Sequence, residues 1–97
     1  MRRFTNEDLF SKFDFIIELA EHVRDVVKKF KLVKLIKAIE EERKTIHEFM
    51  QSDKTDEDKE TLIKAEADII LDFIEVQDIG EGISHKALYN LQDHIKE

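Results

Sequence analysis

The sequence predicts an all-α fold, a small bundle of three to four helices with a long N-terminal helical hairpin. Three observations carry that reading. The 97 residues contain no proline and only two glycines, Gly80 and Gly82, so little punctuates the chain. Leu, Ile, Lys and Glu, all good helix formers or core residues, are abundant. Apolar residues recur at steps of three and four along most of the length. The charged fraction of 40% would suit a disordered chain, but this periodicity argues for a packed one.

Thr5-Asn6-Glu7-Asp8 reads as a helix start, with Thr5 as cap and Asp8 returning the bond. From there Leu9, Phe13, Ile16, Ala20, Val23, Val27 and Phe30 alternate steps of four and three. That is a heptad seam suited to coiled-coil packing, widened by Phe10 and Ile17, and it predicts a first helix over about 6–30. The next series is Leu32, Leu35, Ile36, Ile39, Ile46, Phe49 and Met50. Continuing the first seam would place Lys34 on it, so the phase slips at 30–32. Either the chain turns a corner there or one helix of roughly 67 Å runs on with a shifted stripe; the corner is the favoured alternative.

Gln51 to Asp58 is the clearest loop, and Thr55 with Asp58 repeats the capping spacing. A third helix then carries Leu62, Ile63, Ile69, Ile70, Phe73, Ile74 and Val76 to about Ile79, where Gly80-Glu81-Gly82 ends it. Ser84 caps a short last helix with Ile83 and Leu88 as a hydrophobic staple, and Leu88, Leu91 and Ile95 form its inner face. The whole reads as one domain, 1–97.

Composition narrows the function. Without cysteine there is no disulfide, thiolate chemistry or Cys-based zinc site. No apolar run is long enough for stable membrane insertion, and no signal-peptide pattern follows Met1, so a cytoplasmic protein is expected. The net charge of −7 disfavours nucleic acid as a partner. It is unevenly placed: residues 1–39 carry +3 and residues 40–97 carry −10. Such segregation favours packing of one half on the other, within a chain or between chains. With so small a core, a homodimer through the seam is expected.

Candidate chemistry is sparse. No histidine follows a glutamate at the Glu-x-x-His spacing of di-iron bundles, although Glu18 and His22 lie one turn apart. No nucleophile motif or phosphate-binding glycine loop is present. No catalytic residue and no cofactor follow from these residues. Arg24, Lys28, Lys31 and Lys34 form a basic stripe at helical spacing beside Phe30, Leu32, Val33, Leu35 and Ile36. Such a stripe fits a protein partner with an acidic surface or anionic lipid, or the acidic Asp68, Asp72, Glu75 and Asp78 of the same chain. Glu66 interrupts the apolar stripe of the third helix, where a carboxylate needs a cation, a hydrogen-bond donor or a metal.

Three segments carry a resemblance: Leu35-Ile36-Lys37-Ala38-Ile39-Glu40-Glu41-Glu42, Glu66-Ala67-Asp68-Ile69-Ile70-Leu71 and Gly82-Ile83-Ser84. Their arrangement resembles the all-α nucleoside triphosphate pyrophosphohydrolases, the MazG-like family. The resemblance implies a metal-dependent nucleotide pyrophosphohydrolase in which Glu41, Glu42 and Glu66 hold Mg²⁺, which polarises a phosphoryl group for attack by water. The chain departs from that family's Glu-x-x-Glu and Glu-x-x-Asp pairs. Lys44 stands three residues after Glu41, Thr45 after Glu42 and Ile69 after Glu66. The reading favoured by the residues is therefore a non-catalytic regulator, inhibitor or adaptor acting through protein–protein interaction.

Overall fold

Helix caps set most element boundaries in the computed structural model, which describes residues 2–96. The Thr5 N–H donates to Asp8 Oδ2 at 2.9 Å and the Asp8 N–H to Thr5 Oγ1 at 3.2 Å, opening the turn into α1 (Asp8–Ser11). Lys12, at φ −110° and ψ 3°, separates α1 from α2 (Phe13–His22). Asp25 then caps α3 (Val26–Met50) by accepting the Lys28 N–H at 3.0 Å. Thr55 does the same for Asp58 at the start of α4 (Asp56–Lys64). After α4 come β1 (Leu71–Glu75), a 3₁₀ turn at Val76–Asp78, α5 (His85–Leu91) and β2 (Ile95–Lys96). Ser84 caps α5 through the Ala87 N–H at 3.1 Å. The chain is mostly helical, as the sequence predicts.

Its finer layout differs from the expectation in four places. The first helix does not run to residue 30. It ends at His22, because Val23 turns extended and pairs with Ile79 in an antiparallel bridge. The His22 carbonyl accepts from Gly80 N–H at 2.6 Å and the Asp78 carbonyl from Arg24 N–H at 3.2 Å, which holds that corner. No corner forms at 30–32. There α3 is continuous, and the phase slip marks the step from Val27 and Phe30, which stay exposed, to the single buried face of Leu32, Ile39 and Ile46.

The third helix stops at Lys64, not Ile79, and Ala65 is extended. Ile69, Leu71 and Ile74 are buried from an extended segment, and Ile95 lies in β2 rather than in the last helix. β1 and β2 pair in parallel, with Leu71 opposite Ile95 and an irregular register beyond, and α5 forms their crossover.

The N-terminal segment closes the end of α4. The side-chain amide of Asn6 donates to the Leu62 carbonyl at 2.8 Å, while the Glu7 N–H reaches Ile63 and the Asn6 N–H reaches Ala65, both at 2.9 Å. Beyond Lys64 the helix offers these carbonyls few donors, only the Ala65 N–H at 3.2 Å from Leu62, and the N-terminal segment supplies the others. α2 lies between α3 and α5. The core is built from Phe4, Leu9, Ile16, Leu19, Leu32, Ile39, Leu71, Ile74 and Leu91, with His94 buried among them. Arg43 of α3 lies over the rings of Phe13 and Phe10, at 4.3 and 5.2 Å, tying α3 to the first two helices.

Candidate interaction surface

Five of the seven seam residues are consumed by this core. Leu9, Phe13, Ile16, Ala20 and Val23 are buried within the chain, whereas Val27 and Phe30 are 63% and 62% exposed. They are joined by Val26, 80% exposed, and Val33, 42% exposed. Successive helical residues advance by about 100°, which places these four side chains within about 120° of one another. The buried residues of α3, Leu32, Ile39 and Ile46, centre roughly 170° away. The first half of α3 therefore has two apolar faces, one in the core and one outside it.

The second face lies in a basic field. From Val26 to Ile39 there are five lysines and no carboxylate. Among the predicted stripe residues, Arg24 precedes α3 and donates to the Gln77 carbonyl at 3.0 Å. Lys28 binds Asp78 at 2.6 Å. Their hydrogen bond raises the Lys28 ammonium above its ordinary value and lowers the Asp78 carboxyl; a further bond from the Glu75 N–H adds to the second shift. Lys31 sits over the Phe73 ring at 5.8 Å and Lys34 over Phe30 at 5.7 Å. The structure thus divides the stripe. Arg24 and Lys28 tie α3 to the segment after β1, while Lys31 and Lys34 spread over aromatic rings with their ends towards solvent.

Lys31 and Lys34 also line a cleft of about 340 Å³ between α3 and β1, together with Leu35, Ala38 and Phe73. Because Lys34 touches Phe30 as well, the cleft is continuous with the exposed apolar face. The sequence reading does not place Val26, Ala38 or Phe73 on an interaction surface, and it puts Phe73 on the apolar stripe of the third helix. The spacing of Val26, Phe30 and Val33, four then three, was the available signal for the outer face. Phe73 becomes part of the surface only because residues 71–75 are a strand beside α3.

The carboxylates implied by the family resemblance lie apart from this surface. Glu41 and Glu42 are exposed neighbours on α3, and neighbouring helical residues point about 100° apart. Glu66 is not on a helix. It sits on extended chain opposite Thr5 and is exposed, so it does not interrupt a core stripe. Among the described residues, no three His, Asp or Glu side chains are grouped where they could hold a metal ion. The Glu18 carboxylate is used differently: it accepts from the Ser84 N–H at 2.6 Å and from Ser84 Oγ at 3.2 Å, which lowers its pKa. His22 is held by its own turn, Nδ1 lying 2.9 Å from the Glu18 carbonyl.

Compared with known proteins, the chain matches no family model, no curated protein and no solved structure. Among the described residues, no helix is long and apolar enough to cross a membrane.

Proposed function

We propose that this chain acts by binding another protein, as a regulator, inhibitor or adaptor, and that the outer face of α3 is its contact surface. The observation that carries this reading is the exposed row of Val26, Val27, Phe30 and Val33 on a helix whose opposite face is already in the core. Contiguous apolar surface rimmed by polar groups is characteristic of interaction sites. The chain exposes 6538 Å², above the roughly 5,800 Å² of a compact protein of its 11.5 kDa mass, in keeping with its elongated extents of 45 × 21 × 19 Å.

A photoreactive residue in place of Val27, in the cells that make the protein, tests this. The expected result is one discrete protein adduct that disappears with Phe30→Asp and is not formed from position 57 on α4. No adduct, or the same adducts from both positions, overturns it. The second reading is a homodimer through the same face, favoured by Val27 and Phe30, the two seam residues the core leaves out. An adduct of twice the chain mass, with dimers in equilibrium sedimentation, is its signature.

A further inference from the structure

We infer that the occupant of this surface is an acidic amphipathic helix of another protein, laid along α3 with one bulky apolar side chain in the cleft between α3 and β1. The inference rests on the interaction reading above and adds the shape and charge of the partner.

Shape comes from spacing. Val26, Phe30 and Val33 repeat at four and three residues, the interval at which two helices interlock side chains. The cleft beside them is lined by Phe73, Leu35 and Ala38 together with Lys31 and Lys34. Apolar stems with ammonium ends around an apolar slot suit a Leu or Phe side chain flanked by carboxylates. Charge comes from what α3 lacks. Its first half carries five lysines without one carboxylate of its own, and Asp78 engages only Lys28 among them. An acidic partner would complement the remaining positive charge. A second copy supplies little negative charge through the same face, because pairing that face with itself sets one lysine-rich, carboxylate-free segment against another. Nucleic acid would neutralise the lysines but leave Val26, Phe30 and Val33 without apolar contact.

The probe is a synthetic peptide of about 18 residues with Leu at steps of three and four, Glu flanking that stripe and Ala at the remaining positions to favour the helix. A scrambled peptide of the same composition and phosphatidylserine–phosphatidylcholine vesicles accompany it. Titration into the isotopically labelled full chain is expected to shift the amides of residues 26–38 and of Phe73. The double variant Lys31→Glu, Lys34→Glu is expected to weaken binding by about tenfold or more while keeping the wild-type unfolding transition. Equal binding of the scrambled peptide reduces the surface to a charge patch and overturns the inference. Preference for the vesicles overturns it in favour of a lipid surface, and no binding at about 1 mM peptide overturns it outright. If the peptide fails while the crosslinked adduct forms at position 27, the interaction surface stands and only the helical acidic partner falls. If both fail, both readings fall.

Discussion

Phe4 and His94, from opposite ends of the chain, stack with ring centroids 3.9 Å apart and planes 13° from parallel. The stack is fully buried, and both edges of the imidazole are bonded. Nδ1 lies 2.8 Å from the Arg2 carbonyl, which only accepts, so Nδ1 carries the proton. Nε2 is then the acceptor for the Lys12 ammonium at 3.0 Å, and that ammonium lies 3.8 Å from Asp8. His94 thus holds the N-terminal segment, α1 and the C-terminal end together. His94→Ala is expected to cost roughly 3 kcal/mol in urea unfolding, from the cavity and the stranded Lys12 and Arg2 groups. His94→Phe keeps the stack but strands the same polar groups, and should cost about 1–3 kcal/mol. A neutral His94→Phe would show that stacking alone holds the termini.

The same ring makes stability depend on pH. Burial is the largest influence on His94 and lowers its pKa below the ordinary 6.5; the nearby Lys12 and Arg2 charges act in the same direction, against the Arg2 carbonyl bond and Asp8. The unfolded chain therefore takes up a proton near pH 6.5 when the folded chain does not. Stability should be level above that pH and fall as pH drops through 6.5 towards the lower folded value, with a slope of at most about 1.4 kcal/mol per pH unit. Urea midpoints between pH 8 and pH 5 measure this, and His94→Phe should flatten the profile by one ionisation.

Val23 and Val27 share one sequence seam and have opposite fates. Val23→Asp places a charge in the core and should cost at least about 3 kcal/mol, enough to unfold much of the chain. Val27→Asp lies on the exposed first turn of α3, where a carboxylate favours the helix dipole, and should shift stability by no more than about 0.5 kcal/mol. Thermal unfolding of the two variants side by side checks the split. Equal destabilisation would place the outer face of α3 in an interface even in the purified protein.

How much of this was legible depends on how local the signal was. The bonding of Thr5 with Asp8, Thr55 with Asp58 and Ser84 with Ala87 can be read from spacing alone, because a cap involves only its own turn. Asp25 was an equally local cap, but the unbroken run of seam residues across it suggested one helix. Ile69 to Val76 fits two patterns at once. Its steps of four and three suit a helix, while its Ile and Phe content suits a strand, and pairing with Ile95 decides the matter. His94 could be placed only by contacts with Arg2, Phe4 and Lys12, which no sequence window contains. The outer face of α3 was visible as basic residues beside apolar ones; its cleft was not, because Phe73 was assigned to a helix.

Glu66 tests the nucleotide reading. Exposed on extended chain opposite Thr5, it has no buried partner to strand. Glu66→Gln and Glu66→Leu should each change stability by no more than about 0.5 kcal/mol. The wild type, incubated with a panel of nucleoside triphosphates and Mg²⁺ or Mn²⁺, should release no pyrophosphate. Metal-dependent release that disappears in Glu66→Gln would refute the binding reading and restore the pyrophosphohydrolase.

Gly80 and Gly82 should fail differently when given a side chain. At Gly80 an added Cβ would lie 2.9 Å from the His22 carbonyl oxygen, the atom that accepts the Gly80 N–H at 2.6 Å. Relieving the clash means loosening that bond, and with it the bridge between Val23 and Ile79 that turns the chain into α3. Gly80→Ala should therefore cost about 1–3 kcal/mol, and a larger residue more. At Gly82 the nearest atom to an added Cβ is His22 Nε2 at 3.4 Å, an ordinary contact, but φ is +98°. The cost of Gly82→Ala is conformational, about 1–2 kcal/mol. Asparagine separates the two causes, because it tolerates positive φ better than alanine but brings the same Cβ. Gly82→Asn should recover part of the alanine loss in urea unfolding at pH 7.5, whereas Gly80→Asn should recover none. Recovery at both sites would mean that the His22 carbonyl can move aside, and that the corner into α3 is softer than its hydrogen bonds imply.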